Sequence, residues 1–402
     1  MTGDDTTQRP TKDGDPADAT TRRTVLVVTF GMEYVAPARM PGELKRAGFN
    51  VALLAPRGAL CTRTRFVDSL NFMPLEQSLP AWIAALAELV RTTGAQLLLP
   101  GDDATVQVLM QMAREPLPAL RPDVQAELVA LIKRSLGDPA GYLESIDKGL
   151  LLRRARSLGL PVAPGEGVAD VDDALRVAAE IGYPVIVRPA TGSGGKGVRV
   201  CADASELRAA MTNLPDPSAL IPPGPHRALV QRVLRGQPVN RPALAWNGRE
   251  VAGFSRLRVR PPPDLPGSGS VSRYAALPEV AALNRRLLQG LGASGFVGTE
   301  FLLDSATGTP YLIEINRRMV PATHTGVRVG VDLAAALAAV MEPRDRTGPT
   351  DMPVGNERTL ALFPQEWLRD RASPDLAQRP SDAPWDDPAL FRAMLRLPPS
   401  RS

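Results

Sequence analysis

Two histidines and two cysteines in 402 residues are few, and the shortage excludes more chemistry than the abundant residues suggest. With only His226 and His324, a histidine-built metal centre or a Ser-His hydrolytic triad lacks its parts. Cys61 and Cys201 stand far apart in no metal-ligand or redox spacing, so both are expected to be buried free thiols. No apolar run approaches a membrane span, and the polar residues 1–23 lack a signal-peptide core, which predicts a cytoplasmic protein with no membrane association. A net charge of +4 is too small for this length to imply nucleic acid. Between Arg227 and Arg260 eight arginines face one acid, Glu250, but only Trp246 and Phe254 interleave, too few for a base-stacking surface. No nucleic-acid partner is expected. That basic run reads either as solvated surface or as a wall facing small anions.

What remains is an ordinary globular composition, 44% apolar and 22% charged, long enough for two or three cores. Residues 1–23 read as a disordered leader. A buried-strand run at 24–30, a helix opened by Pro41 and a strand at 50–55 make a βαβ unit. A helix with Ile83, Leu86, Ala87 and Val90 on one face then leads to a strand at 95–99, which breaks at Pro100-Gly101-Asp102-Asp103. Asp102 or Asp103 is expected to cap the next helix, the alternative being an acid catalyst. The expected organisation is an open parallel α/β domain at 24–136, a small subdomain at 137–214, a second at 215–345, and an extension at 346–402 that packs rather than forming a site. Ser145 is expected to cap a helix with Lys148 in its first turn, where a cation opposes the helix dipole and an anion in front would relieve it. Asp170 and Asp203 open two further helices. Strands follow at 228–233, 239–246 and 250–260, with Asn247-Gly248 a hairpin turn, then a helix at about 278–291.

Residues 184–201, PVIVRPATGSGGKGVRVC, place glycine at 192, 194, 195 and 197 around Lys196, between two strand-like runs. Glycines let successive backbone N–H groups converge on phosphate oxygens, and Lys196 adds a point charge. A flexible hairpin tip is the alternative. A P-loop would need Ser or Thr after its lysine, where Gly197 stands, and a dinucleotide fingerprint would need a helix where Val198-Arg199-Val200 reads as strand. Protein-kinase catalytic tripeptides are missing downstream.

Two strands, 296–304 and 310–316, are joined by Ser-Ala-Thr-Gly-Thr. With Thr307 at mid-turn, Glu300 falls opposite Glu314, and Asn316 shares Glu314's face. Two carboxylates about 4.5 Å apart repel by roughly 4 kcal/mol at an effective dielectric of ~20. A hard divalent cation on Glu300, Glu314 and the Asn316 carbonyl would offset this. The alternatives are an ion network through Arg317, Arg318 or Arg188, or one protonated carboxyl. The acid, acid, amide set on one face of an apolar hairpin favours the metal.

In order and spacing, Lys148, Arg188 within PVIVRPA, the loop TGSGGKGV, the strand ALVQRVLRG, and the pair GTEFLLD and YLIEINRR resemble the ATP-grasp superfamily, nearest its carbamoyl-phosphate-synthetase-like members. The resemblance covers about 137–330 and implies the fold class: an N-terminal open parallel α/β pre-ATP-grasp domain followed by a two-subdomain ATP-grasp fold, α/β and α+β. It implies ATP, with Mg²⁺ or alternatively Mn²⁺. Lys148 and Arg188 would hold the α- and β-phosphates, the backbone of Gln231, Arg232 and Val233 the adenine edge, and Ser193, Gly194, Gly195, Lys196 and Gly197 the lid. Glu300, Glu314 and Asn316 would carry the metal; Arg318 would bind the transferring phosphate or acyl oxygens, and Lys196 is the second catalytic candidate. Implied with these are a carboxylate–amine ligase acting through an acyl phosphate, small-molecule carboxylate and amine substrates, and a homodimer as one assembly. Two departures stand out. Arg188 replaces the commoner lysine, and Gln237, Pro238 and Asn240 stand where the superfamily places an acid for the ribose. The second keeps a non-catalytic nucleotide-binding protein as an alternative; a phosphotransferase that stops at the acyl phosphate is another. Arg256, Arg258, Arg273 and Arg328 are candidate carboxylate binders.

Overall fold

The protein is described by a computed structural model over residues 22–74, 78–117, 120–192, 195, 197–215, 224–260, 269–342 and 350–398. Strands β1 (Thr24–Val28), β2 (Asn50–Ala55), β3 (Ser69–Phe72) and β4 (Leu97–Pro100) form an all-parallel sheet in the order β3-β2-β1-β4. Both faces of β1 are buried, which is why it reads as continuous Val and Leu rather than alternating. Helix α1 (Val35–Arg46) covers one face; α2 (Leu79–Thr93), α3 (Asp103–Met112) and α4 (Pro122–Leu136) cover the other. The expected start of α1 at Pro41 is corrected: the helix begins at Val35 and carries Pro41 inside. An internal proline costs ~3 kcal/mol, but burying Met40 and Leu44 returns about 1.5–3 kcal/mol each.

Next come α5 (Tyr142–Ile146) and α6 (Lys148–Ser157). Asp147, not Ser145, caps α6, accepting from Leu150 N at 2.9 Å. Ser145 lies in the preceding helix, donates to the Gly141 carbonyl and accepts from Arg317. The second sheet is antiparallel, β5 (Gly165–Val168), β6 (Val185–Pro189), β7 (Arg199–Cys201) and β8 (Ala228–Arg232), ordered β5-β8-β6-β7. Helices α7 (Val171–Ile181) and α8 (Ala204–Thr212) back it, capped by Asp170 and Asp203 as expected.

The third and largest sheet holds β9 (Gly236–Trp246), β10 (Arg249–Gly253), β11 (Arg256–Arg260), β12 (Val271–Tyr274), β13 (Gly295–Asp304) and β14 (Pro310–Asn316). Helix α9 (Pro278–Gly290) covers one face and α10 (Leu333–Val340) the other. Strands β15 (Thr350–Asp351) and β16 (Arg358–Ala361) join from the C-terminal stretch, β15 on β10 and β16 on β12. Asn247 and Gly248 make the β9–β10 turn with φ of 49° and 78°, the left-handed pair that a tight hairpin requires. The expected single strand at 250–260 is broken at Phe254 and Ser255. There Phe254 turns into the core and the fully buried Arg241 bonds Ser255, Glu250 and Asp351. One core unites a face of the first sheet and α1 with Leu244, Phe254, Phe296, Leu360, Leu390 and Met394, so the first and third sheets are packed as one body. Cys61 and Cys201 are buried and free, as expected.

Candidate functional site

A cavity of about 460 Å³ lies between the second sheet and the β13–β14 hairpin. On its floor the hairpin register pairs Glu300 with Glu314, Thr299 with Ile315 and Gly298 with Asn316, as the turn symmetry predicts. Beyond Glu300 the register slips by one, since Phe301 pairs with Leu312. Burial, then the facing Glu314, push the Glu300 carboxyl up to about 7. None of the three arginines considered as neutralisers bonds either acid among the described residues. Arg317 is turned to Ser145 Oγ and the Leu136 carbonyl, Arg318 to Asp103, and Arg188 to Gln231. Arg258 Nη2 stands 3.9 Å from Glu300 Oε2, outside hydrogen-bond distance. Two opposed carboxylates without a hydrogen-bonded cation suit a hard divalent ion. Asn316 is beside them, its Nδ2 3.4 Å from Glu314 Oε1, while its Oδ1 accepts from Arg318 Nη2 at 3.2 Å. In this orientation the amide turns its donor, rather than the expected carbonyl, toward Glu314.

Lys148 is the first residue of α6 and lines the same cavity, its Nζ bonded to the Gly192 carbonyl. Burial lowers its pKa and Glu314 opposes that shift. Arg188, on β6, is 9% exposed; its Nη2 donates to Gln231 Oε1, and its Nε, buried, has no hydrogen-bond partner among the described residues. Burial lowers its pKa, against Glu314 and Glu300. A buried donor of this kind beside a second cation suits acceptor oxygens. Of the expected lid, Gly192, Gly195 and Gly197 have φ of 92°, 72° and 75°, a conformation that needs glycine. Ser193, Gly194 and Lys196 lie outside the described residues.

Along the end of β8, Gln231, Arg232 and Leu234 line the cavity. Val233, between Arg232 and Leu234, is not among the lining residues. Arg232 N is committed to the Pro164 carbonyl at 2.8 Å. Pro238 and Asn240 line the wall where an acid was missed in the sequence.

At the far end Arg318 reaches the first sheet. Its Nε and Nη2 donate to the two oxygens of Asp103 at 2.7 and 2.8 Å, and its guanidinium carbon lies 5.7 Å from the Tyr34 ring centre. Sequence reasoning missed Tyr34 and Leu234, and it weighed Asp103 only as a cap or an acid catalyst, not as the partner of Arg318. Asp102 does cap α3, as expected of one of the pair, accepting from Thr105 N. A second acid beside a cap that needs only one was the available signal. Arg256 and Arg258 also line the cavity; Arg256 bonds Asn240 Oδ1 and Ser272 Oγ. Arg273 is exposed on β12 and Arg328 lines a separate cavity with Arg39 and His324, so neither belongs here.

Residues 147–237 match the family model for the carbamoyl-phosphate synthase L chain, ATP binding domain. The mitochondrial propionyl-CoA carboxylase alpha chain of Mus musculus is 33% identical over 127 residues, 31% of this chain and 16% of the relative. The chain thus spans about a sixth of that relative's length. Among solved structures, the biotin carboxylase domain dimer of Hydrogenobacter thermophilus 2-oxoglutarate carboxylase, complexed with MgADP, ADP and bicarbonate, superimposes with a TM-score of 0.62 at 20% identity, covering 81% of this chain and 71% of that one. The L-amino acid ligase of Bacillus licheniformis gives a TM-score of 0.56 at 15% identity, covering 81% and 76%.

Proposed function

We propose that this chain, which belongs to the ATP-grasp superfamily, is an ATP- and magnesium-dependent carboxylate–amine ligase that joins small molecules through an acyl phosphate. The observation that carries the reading is the Glu300–Glu314 pair, with Lys148 and the buried Arg188 Nε in the same cavity wall. Lys148 and Arg188 bind the α- and β-phosphates, and the chain from Gln231 to Leu234 receives the adenine. Glu300, Glu314 and Asn316 would hold magnesium, or manganese in its place, which when bound neutralises the β- and γ-phosphate oxygens. Asn316 contributes its carbonyl through the lone pair that Arg318 does not use. Lys196 and the other lid residues close over the phosphates in this reading.

An oxygen of the substrate carboxylate attacks the γ-phosphorus, the bond to the β-γ bridging oxygen breaks, and ADP leaves with that electron pair. The amine then attacks the acyl carbon, phosphate departs, and the amine loses a proton to solvent. No step asks for a nucleophilic side chain; alignment and positive charge do the work, which agrees with a site built from arginine and lysine. We place the protein in the cytoplasm, with neither membrane nor nucleic-acid partners, and a homodimer is the assembly to test first.

Incubation with Mg²⁺, ATP, pooled carboxylates and hydroxylamine should release ADP and yield a hydroxamate. Neither product with any pool would refute ligation. Pro238 and Asn240 at the ribose wall favour a second reading, a nucleotide-binding protein without turnover, whose signature is tight ATP binding with no ADP. ADP release with a trapped acyl phosphate that no amine consumes would instead mark a phosphotransferase.

A further inference from the structure

The Asp102-Asp103 pair at the end of β4 performs two separate tasks. Asp102 is buried and knots the first sheet's C-terminal edge: its carboxylate accepts from Thr29 Oγ1, Phe30 N, Gly31 N and Thr105 N. That fixes the loop leading to Tyr34 against the start of α3. Asp103, first residue of α3, is therefore held on a rigid mount, and its negative charge is favoured by the helix N-terminus. It projects onto Arg318, 215 positions away, in a two-oxygen fork at 2.7 and 2.8 Å.

A guanidinium has five N–H groups. Arg318 spends two on Asp103, one on Asn316 Oδ1 at 3.2 Å and one on the Met319 carbonyl at 3.3 Å, and its side chain is only 8% exposed. Among the described residues these four bonds leave one N–H, on Nη1, for a ligand in the cavity that Arg318 lines. So committed, the arginine cannot clamp a carboxylate with a fork of its own. It can offer a single aimed donor to an oxygen that gains charge during transfer.

We propose that Asp103 is a positioning residue: from the first sheet it locks Arg318 as a one-point donor to the transferring phosphate, so that Arg318 serves transfer rather than ground-state substrate binding. This rests on the reading above that the cavity transfers phosphate from ATP. The consequence is a division of labour in which substrate carboxylates are anchored elsewhere and the first sheet sets transfer geometry.

The test needs no knowledge of the substrate. MgADP affinity is measured by calorimetry on the full chain, with and without fluoroaluminate, which mimics a phosphoryl group in flight. Wild type should bind MgADP at least tenfold more tightly with fluoroaluminate. Asp103→Asn should keep its MgADP Kd within twofold yet lose most of that enhancement, Arg318→Lys should do the same, and the double variant should lose no more than either alone. Asp103→Glu should recover part of it, which separates aim from mere structural support, and melting temperatures verify folding. Independent, additive losses, or full enhancement in Asp103→Asn, would overturn the proposal, as would a wild type that gains nothing from fluoroaluminate. Enhancement intact but no ADP from any substrate pool would sink ligation while leaving the role of Asp103 standing.

Discussion

Lowering the pH should release the divalent ion, and Glu300 sets where this occurs. Its carboxyl is pushed up to about 7 by burial and by Glu314 opposite, so at pH 6 most copies carry a proton and at pH 8 few do. A metal ligand must be deprotonated, so apparent Mn²⁺ or Mg²⁺ affinity in the presence of ADP should fall about tenfold from pH 8 to pH 6. Binding at pH 6 should release close to one proton, read by calorimetry in buffers of different ionisation enthalpy. Without metal the sign for stability follows from linkage. Between the unfolded value near 4.5 and about 7 the folded state holds a proton that the unfolded state has lost. Metal-free stability therefore declines as pH rises through this window, by on the order of 3 kcal/mol from this group. Glu300→Gln removes that decline, so its urea midpoint should exceed wild type most above pH 7, and its metal affinity should lose the pH dependence. Pairing of Glu300 with a cation of the protein would give the opposite: a flat metal profile between pH 6 and 8 and a Gln variant less stable than wild type would refute the reasoning.

Three further outcomes follow from the same physics. Buried His324 bonds Asp382, yet burial and then Arg39 hold its pKa at about 4, so its stability contribution is present above 6.5 and fades as pH falls toward 4. His324→Asn should flatten that acid limb in urea titrations at pH 4–7, a slope opposite to that of Glu300. Arg188→Ala should weaken binding of a fluorescent ATP analogue about ten- to a hundredfold, the range for a lost charged hydrogen bond; an unchanged Kd would remove Arg188 from the phosphate site. Arg241→Ala strands the buried Glu250, and denaturant unfolding should register a loss of about 3–5 kcal/mol.

The parts of the molecule legible in the sequence are those governed by short-range rules. Period-two alternation and the short turn brought Glu300 and Glu314 to one place on the hairpin, although the one-residue slip between them and the turn was not legible. Aspartates at 170 and 203 signalled helix starts because a cap bonds its own neighbours. What stayed hidden depends on contacts across the chain. Pro41 lies inside α1 because the first sheet rewards the buried face enough to absorb the break in the hydrogen-bond ladder. Asp147 prevailed over Ser145 as cap because Ser145 is engaged by Arg317, from β14's end. The Asp103–Arg318 fork joins residues 215 apart, and no local pattern distinguishes an acid aimed across an interface from one facing solvent.

The short strand Arg358–Ala361 runs beside Val271–Tyr274 and sequesters that strand's outward amides and carbonyls. A shortened protein ending before residue 350 would bare them, and bared strand borders recruit whatever extended chain is nearest. Excising the nucleotide cavity as a minimal fragment should therefore give self-associating material, however intact its binding groups. The C-terminal stretch is thereby a guard on solubility, and preparations made to test this chemistry should retain it.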